Sequence, residues 1–367
     1  MGTGPPFTLT ATRPRADLVG TLGARLREVG LEGVLGDLDR AAHVCSVPGE
    51  AAGEGFTWDD VDRNDPTWWP QGVVSVRSGA LLLVSWYAKR SRLLRTPGAR
   101  ISVVDRTQPE GPRYRHVLLV VPRRRLGVLT MGTVPVHAGG IAVHDRFLFV
   151  PDTYFGVRVF RLGDVMALPG RPPGADRNSS GGRNGLLQRS AVGGSRAGGC
   201  AYVLPQFMAF RAPLRWGPGR PSYSFLSIGQ VEGQPNLVVG EYRRNGDRRP
   251  RLARYPIDPR TGLPRADDHG RCAPLEVYED QPSRMQGVAV HGSTWFVTAS
   301  NGQRSAGDLY SGTPHGWHRH RGVLPSGPED LDWSRPGEEL WCVSEWPGRR
   351  WVFSIATGRL GVDPMPA

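Results

Sequence analysis

Short apolar runs come in pairs along this chain, and the same pairing recurs five times. Residues 71–76 run into 81–85, 138–143 into 147–150, 224–228 into 236–241, 286–290 into 295–298, and 329–333 into 339–345. Several first runs open on small or amide residues, as in Gln71-Gly72, Gly139-Gly140 and Gln286-Gly287, before turning aliphatic. Each second run is apolar through its middle, and most end on a polar or charged group. Runs this short, rich in Val, Leu, Phe and Trp and bounded by turn formers, predict paired strands rather than helices.

Two further strand-like runs follow most pairs: 100–105 and 114–121, 157–162 and 202–210, 252–257 and 275–278, 308–310 and 318–323. The fifth pair is followed by 351–355 alone. Repeated four-strand units predict an all-β fold, a single β-propeller with five blades, or six if 203–210 opens a blade of its own. The strand missing from the last blade is expected from 43–47, which would close the ring without a bare edge. Upstream, Leu18, Leu22, Leu26, Val29, Leu31, Val34, Leu35 and Leu38 recur at helical spacing, broken by glycines. They predict two short helices clasped on the outside of the sheets. The expected organisation is therefore an N-terminal arm and helical clasp over 1–42, with 1–15 flexible, and a propeller over 43–367. Within it, 48–67 reads as a polar connector, and the Gly/Arg/Ser/Asn-rich stretch 169–199 as a flexible insertion.

Composition changes this picture little. The 49 glycines and 33 prolines suit many turns. The formal charge of +12 is carried almost wholly by arginine, because Lys89 is the sole lysine. No nucleic-acid-binding motif accompanies it, so a solvated basic surface is expected rather than a nucleic-acid partner. Cys45, Cys200, Cys272 and Cys342 lack metal-ligand spacing, and no apolar run reaches membrane length. Residues 1–15 hold no apolar stretch of signal-peptide length. The expectation is a cytoplasmic monomer, or a secreted one if a leader was removed.

In such a ring, the start of each first strand and the end of each second strand open on one face, because neighbouring strands are antiparallel. The first set supplies Gln71, His137, Tyr223, Arg284, Gln286, Glu329 and Asp330. The second supplies Asp152, Tyr154, Glu241 and Glu345, with Trp69 just ahead of the first blade. Convergent polar groups within aromatic walls are the default site hypothesis. His137 is the candidate general acid or base, with Glu329 or Asp152 as its carboxylate partner and Arg284 holding an anionic substrate group. The remaining residues are expected to bind substrate.

Structural roles compete at each position. His137 could donate to a neighbouring backbone, Asp152 could cap a turn, and Glu329-Asp330 could be a turn and cap pair. Glu241 and Glu345 could sit in arginine networks, and Trp69 could be buried against the helices. Nucleophile-elbow, zinc-protease and phosphate-loop motifs do not occur, so no organic cofactor is implied, and a divalent metal stays open. The histidines at 315, 318 and 320 make a weak metal cage, and no metal ligands are assigned.

The strand starts quoted above and the turn Asp258-Pro259-Arg260-Thr261-Gly262-Leu263 resemble those of the β-propeller group, over roughly residues 43–357. The turn is similar to those of lactonase-like and strictosidine-synthase-like propellers, and a central histidine is similar to that of propeller lyases. Five-bladed glycosidases place carboxylates on the inner strands of three blades, whereas only Glu329 and Asp330 are so placed here. The resemblance implies a hydrolase, lyase or cyclase acting on a small polar molecule in the central mouth. The alternative is a non-catalytic module binding a glycan or a protein.

Overall fold

The computed structural model describes residues 6–89, 98–169, 200–213, 217, 219–334 and 339–362. Strands dominate, with a few short helices. They form five antiparallel four-strand meanders. The first holds Trp68–Val76, Leu81–Ala88, Ala99–Asp105 and Arg113–Arg125. The second holds Ala142–His144, Phe147–Asp152, Gly156–Arg161 and Tyr202–Arg211. Phe225–Val231, Gln234–Gly240, Leu252–Asp258 and Glu276–Tyr278 make the third. Met285–His291, Thr294–Ala299, Gly307–Thr313 and Gly316–Leu324 make the fourth. The fifth starts with Pro328–Ser334, Glu339–Ser344 and Trp351–Ile355.

The fifth meander is completed from the other end of the chain, but not by 43–47. Its fourth strand is Ala52–Thr57, which pairs with Trp351–Ile355, and His43–Val44 adds a short fifth strand outside it. Gly53 and Gly55 make this stretch look like a connector, yet both are demanded by packing. A Cβ on Gly55 would lie 2.6 Å from Val47 and 2.9 Å from Phe353.

The first strands of the five meanders touch one another in a ring, the fifth against the first. They approach so closely that side chains do not fit at their starts. A Cβ on Gly140 would meet an Asp330 carboxylate oxygen at 2.8 Å, and one on Gly287 would meet the Asp330 Cα at 2.5 Å. The small-residue starts that repeat in the sequence are thus a requirement of convergence on an axis. Asp330 sits at that convergence, fully buried, and its Oδ2 accepts from the backbone N–H groups of Val73 (3.2 Å) and Ile141 (3.0 Å). Asp332 makes the same kind of stitch one pleat further along, accepting from Ser75 N at 2.8 Å.

From Phe7 on, the N-terminal segment is built in rather than loose. Leu9–Ala11 is a strand between Tyr202–Arg211 and Arg271–Cys272, and Phe7 and Leu9 are buried. The two expected helices are Ala16–Gly23 and Gly30–Leu35, lying on the outer strands of the first and second meanders. Those outer strands also pair with each other, Tyr202–Pro205 running parallel to Val117–Val120. A third helix, Asp60–Asn64, lies in the supposed connector and is capped by Asp59, whose side chain accepts from Asp62 N. The insertion expected at 169–199 lies, beyond Pro169, outside the described residues.

Candidate functional site

Register fixes which residues share the axial mouth. Trp69 faces Tyr87, Pro328 faces Ser344, and Met285 faces Ala299, so strand starts at 68–71, 285–286 and 328–329 open with strand ends at 87–89 and 344–345. Here the structure brings two carboxyl groups together. Glu329 is buried (1% exposed) and accepts from Gln286 Nε2 at 3.3 Å. Glu345 is half-buried and accepts from Gln71 Nε2 at 3.1 Å.

Burial acts on both carboxyls in one direction, and the charge of Glu345 adds to it at Glu329 alone. Desolvation first, then the charges of Glu345 and Asp330, push the Glu329 carboxyl well above the usual carboxylate range. Desolvation raises Glu345 to about 7, against the hydrogen bond from Gln71 and the charges of Lys89 and Arg350. Burial thus favours the protonated form of Glu329, while Glu345 titrates near neutrality.

The surroundings are amide and aromatic. Trp69 lies edge-on to Trp346 (5.2 Å between centroids), with Lys89 Nζ 3.3 Å from its ring centre. Tyr87 is kept un-ionised by burial and by the charges of Glu345 and Glu329. His137 stacks on Tyr87 at 4.2 Å. Behind them, buried Arg350 donates from Nε to the Glu345 carbonyl (2.9 Å) and from Nη1 to the Asp62 carbonyl (2.6 Å). Asp62 in turn takes hydrogen bonds from Arg40, Arg100, Tyr114 and His116. The sequence gives no periodic signal for Lys89, Arg350 or this Asp62 network, although Lys89 stands out as the single lysine.

His137 does not form the expected pair. No hydrogen bond or ion pair joins it to Glu329 or Asp152 among the described residues. The residue is exposed at the edge of the mouth while its ring packs on Tyr87, and desolvation lowers its pKa from 6.5 to about 4, so it is neutral at pH 7. Ala138, the next residue, is buried in the left-handed region at φ 53° and turns the chain into the inner strand.

Other expected members go elsewhere. Asp152 is buried in an ion pair with Arg158, at 2.9 Å to Nε and 2.7 Å to Nη2, with Arg211 at 3.9 Å. Tyr223 is a core residue, packed edge-on against Phe7. Glu241 is fully buried and ion-paired with Arg243, Arg248 and Arg251, which hold its carboxyl below the ordinary range against desolvation. Arg284 bonds Asn301 Oδ1 at 3.1 Å. Asp330 stitches strands. Tyr154 stands exposed on the rim under Arg220.

Among the described residues no group of three metal-ligating side chains gathers. His318 and His320 lie on the strand Gly316–Leu324, and His320 Nε2 is 2.9 Å from Ser311 Oγ. Among the described residues no helix is long and apolar enough to cross a membrane. The far end of the axis opens into a cleft of about 360 Å³ lined in part by Ser75, His144, Gln230 and Asp332. Burial raises the Asp332 carboxyl there to about 7, a feature the sequence pattern does not mark.

No protein-family profile and no curated protein sequence matches the chain. Among solved structures it is similar to a glucose dehydrogenase (TM-score 0.39, 11% identity, 87% of this chain and 97% of that one covered). It is also similar to a GH43_1 enzyme from Xanthomonas citri (TM-score 0.36, 10% identity, 78% and 87% covered). A third is the β-propeller domain of Cps50 (Swd1) from Myceliophteria thermophila (TM-score 0.36, 13% identity, 86% and 99% covered). Likenesses this distant say nothing of chemistry. The ring of inner strands and the meander order define the class, and the chain is a β-propeller protein.

Proposed function

We propose that the five meanders are five blades around one axis, and that the protein is a hydrolase acting on a small polar molecule in the axial mouth. The observation that carries this is the Glu329–Glu345 pair, in which burial and the charge of Glu345 favour the protonated form of Glu329 while Glu345 titrates at about 7. Environments that push two titratable groups apart are how acid and base roles are assigned at one pH. Glu345, as carboxylate, takes a proton from water as its oxygen attacks. Glu329 gives its proton to the leaving atom as that bond breaks. A substrate hydroxyl that replaces the long donation from Gln286 reaches Glu329, while Gln71 positions Glu345. Tyr87, His137, Trp69 and Trp346 form the wall. In this reading His137 is a neutral binding group rather than the acid or base.

The aromatic wall also favours a second reading, a binding module for a glycan without turnover. A ligand screen by thermal shift over metabolites and sugars, run on wild type, His137→Ala, Glu329→Gln and Glu345→Gln, separates the two. The hydrolase reading expects a hit lost in His137→Ala, and turnover of that hit reduced about 10²–10⁴-fold in either glutamine variant. Its rate should fall as pH drops through about 7, where Glu345 gains its proton. Binding without turnover in the wild type supports the module. Equal turnover in all four proteins refutes the carboxyl pair.

A further inference from the structure

Beside the mouth, between the second and third meanders, lies a cleft of about 400 Å³ whose lining includes Tyr154, Ser222, Ser224, Tyr242, Arg243 and Arg244. It abuts the turn that carries His137: a Cβ on Gly139 would fall 2.3 Å from the Ser224 carbonyl oxygen and 3.5 Å from His137 Nδ1. The cleft thus borders the turn that carries His137 at the edge of the mouth.

Three features mark it as a site for negative charge. Glu241, next to the cleft, is shared by Arg243, Arg248 and Arg251, and with Arg244 and Asp247 counted four guanidinium groups face two carboxylates, a net of two positive charges. Arg244 is exposed, and its guanidinium has no partner among the described residues. Ser222, a residue of the cleft wall, is buried (2% exposed), and among the described residues its buried hydroxyl makes no hydrogen bond, so a rotation of the side chain would offer it to the cleft. A buried hydroxyl left unsatisfied is costly unless a ligand or water completes it. Asp247 also lines the cleft, but its carboxylate is engaged by the Arg244 backbone N–H at 3.1 Å, which holds the loop.

We propose that this cleft is an oxyanion subsite: the substrate of the mouth carries a phosphate or sulfate monoester, held by the Ser222 hydroxyl and the Arg244 guanidinium beside Arg243. The geometry suits a tetrahedral anion, because guanidinium and hydroxyl groups give several charge-assisted donors to one group. Arg284, the anion-binding residue expected from the sequence, is engaged with Asn301 instead. This inference rests on the mouth being the substrate site, but its test does not.

The test is calorimetric titration of the full chain with inorganic phosphate, sulfate and acetate at matched ionic strength. The proteins are wild type, Arg244→Ala, Ser222→Ala and Glu345→Gln. Arg244 is exposed, so its replacement leaves the fold intact. Saturable phosphate or sulfate binding by the wild type, weakened tenfold or more in Arg244→Ala and Ser222→Ala but kept in Glu345→Gln, supports the subsite. The tighter of the two anions names the ester. No binding beyond a matched chloride control overturns the proposal, as does equal binding in all four proteins. Binding of a single-stranded oligonucleotide far tighter than either anion, and falling steeply with salt, overturns the small-molecule assignment. Failure of the carboxyl pair would appear only as undiminished turnover in Glu345→Gln, so the two ideas fail separately.

Discussion

Glu241 and Glu345 stand at the ends of equivalent second strands, and their surroundings treat them oppositely. Three arginines hold Glu241 ionised, whereas at Glu345 desolvation outweighs the hydrogen bond from Gln71 and the charges of Lys89 and Arg350. The difference fixes a pH signature. A carboxyl whose folded pKa, about 7, exceeds its ordinary 4.5 binds its proton more tightly when folded. Stability from that proton is full below 4.5 and is lost as pH rises towards 7, because the folded state holds more protons in that window. Glu345→Gln removes the loss. Calorimetric melting should therefore show the variant gaining on wild type between about pH 4.5 and 7, with a constant advantage above. A difference that does not change with pH would mean that Glu345 ionises normally. The sequence places both glutamates at the mouth by register alone. What separates them is the arginine-rich stretch at 243–251, which was visible, and the inter-blade neighbours of Glu345, which no local pattern encodes.

At the scale of elements, the hairpins were legible because strands buried on both faces are written as short continuous apolar runs, and the five inner pairs fall on those runs. The closing strand was not, because Ala52–Thr57 carries two glycines where a strand normally carries branched residues. The same crowding that hides that strand explains the Gln-Gly and Gly-Gly starts, and it can be tested at Gly287. A Cβ there would meet the Asp330 Cα at 2.5 Å and Leu331 N at 2.6 Å, both backbone atoms that cannot swing aside. Gly287→Ala should destabilise by about 1–3 kcal/mol, as overpacked cores do, read as a lower urea midpoint. Gly163→Ala, whose Cβ would meet nothing within 4 Å, is the matched control and should move the midpoint by less than about 0.5 kcal/mol. Equal effects at both sites would mean that inner strands have room at the axis.

The whole molecule depends on one non-local closure. Ala52–Thr57 joins Trp351–Ile355 across nearly the full length of the chain, and the inner strand of that last meander is stitched to its neighbours by Asp330 and Asp332. A contact so distant in sequence is costly in chain entropy and is expected late in folding, yet once made it leaves no meander free to open alone. Gly55→Val tests this coupling. The added side chain would press on Phe353 and on the Val352 carbonyl oxygen, both within 2.9 Å of a Cβ, so it loosens the closing pair without touching the mouth. If closure couples the ring, urea unfolding of the variant remains a single transition at a lower midpoint, with tryptophan fluorescence and circular dichroism changing together. If the fifth meander is held only by its own strands, fluorescence from Trp351 and Trp341 should change first, in a separate step, while most of the strand signal persists. That result would show the axial mouth to be assembled from independent blades, and the Glu329–Glu345 pair, both on the fifth meander, would then be lost before the rest of the fold.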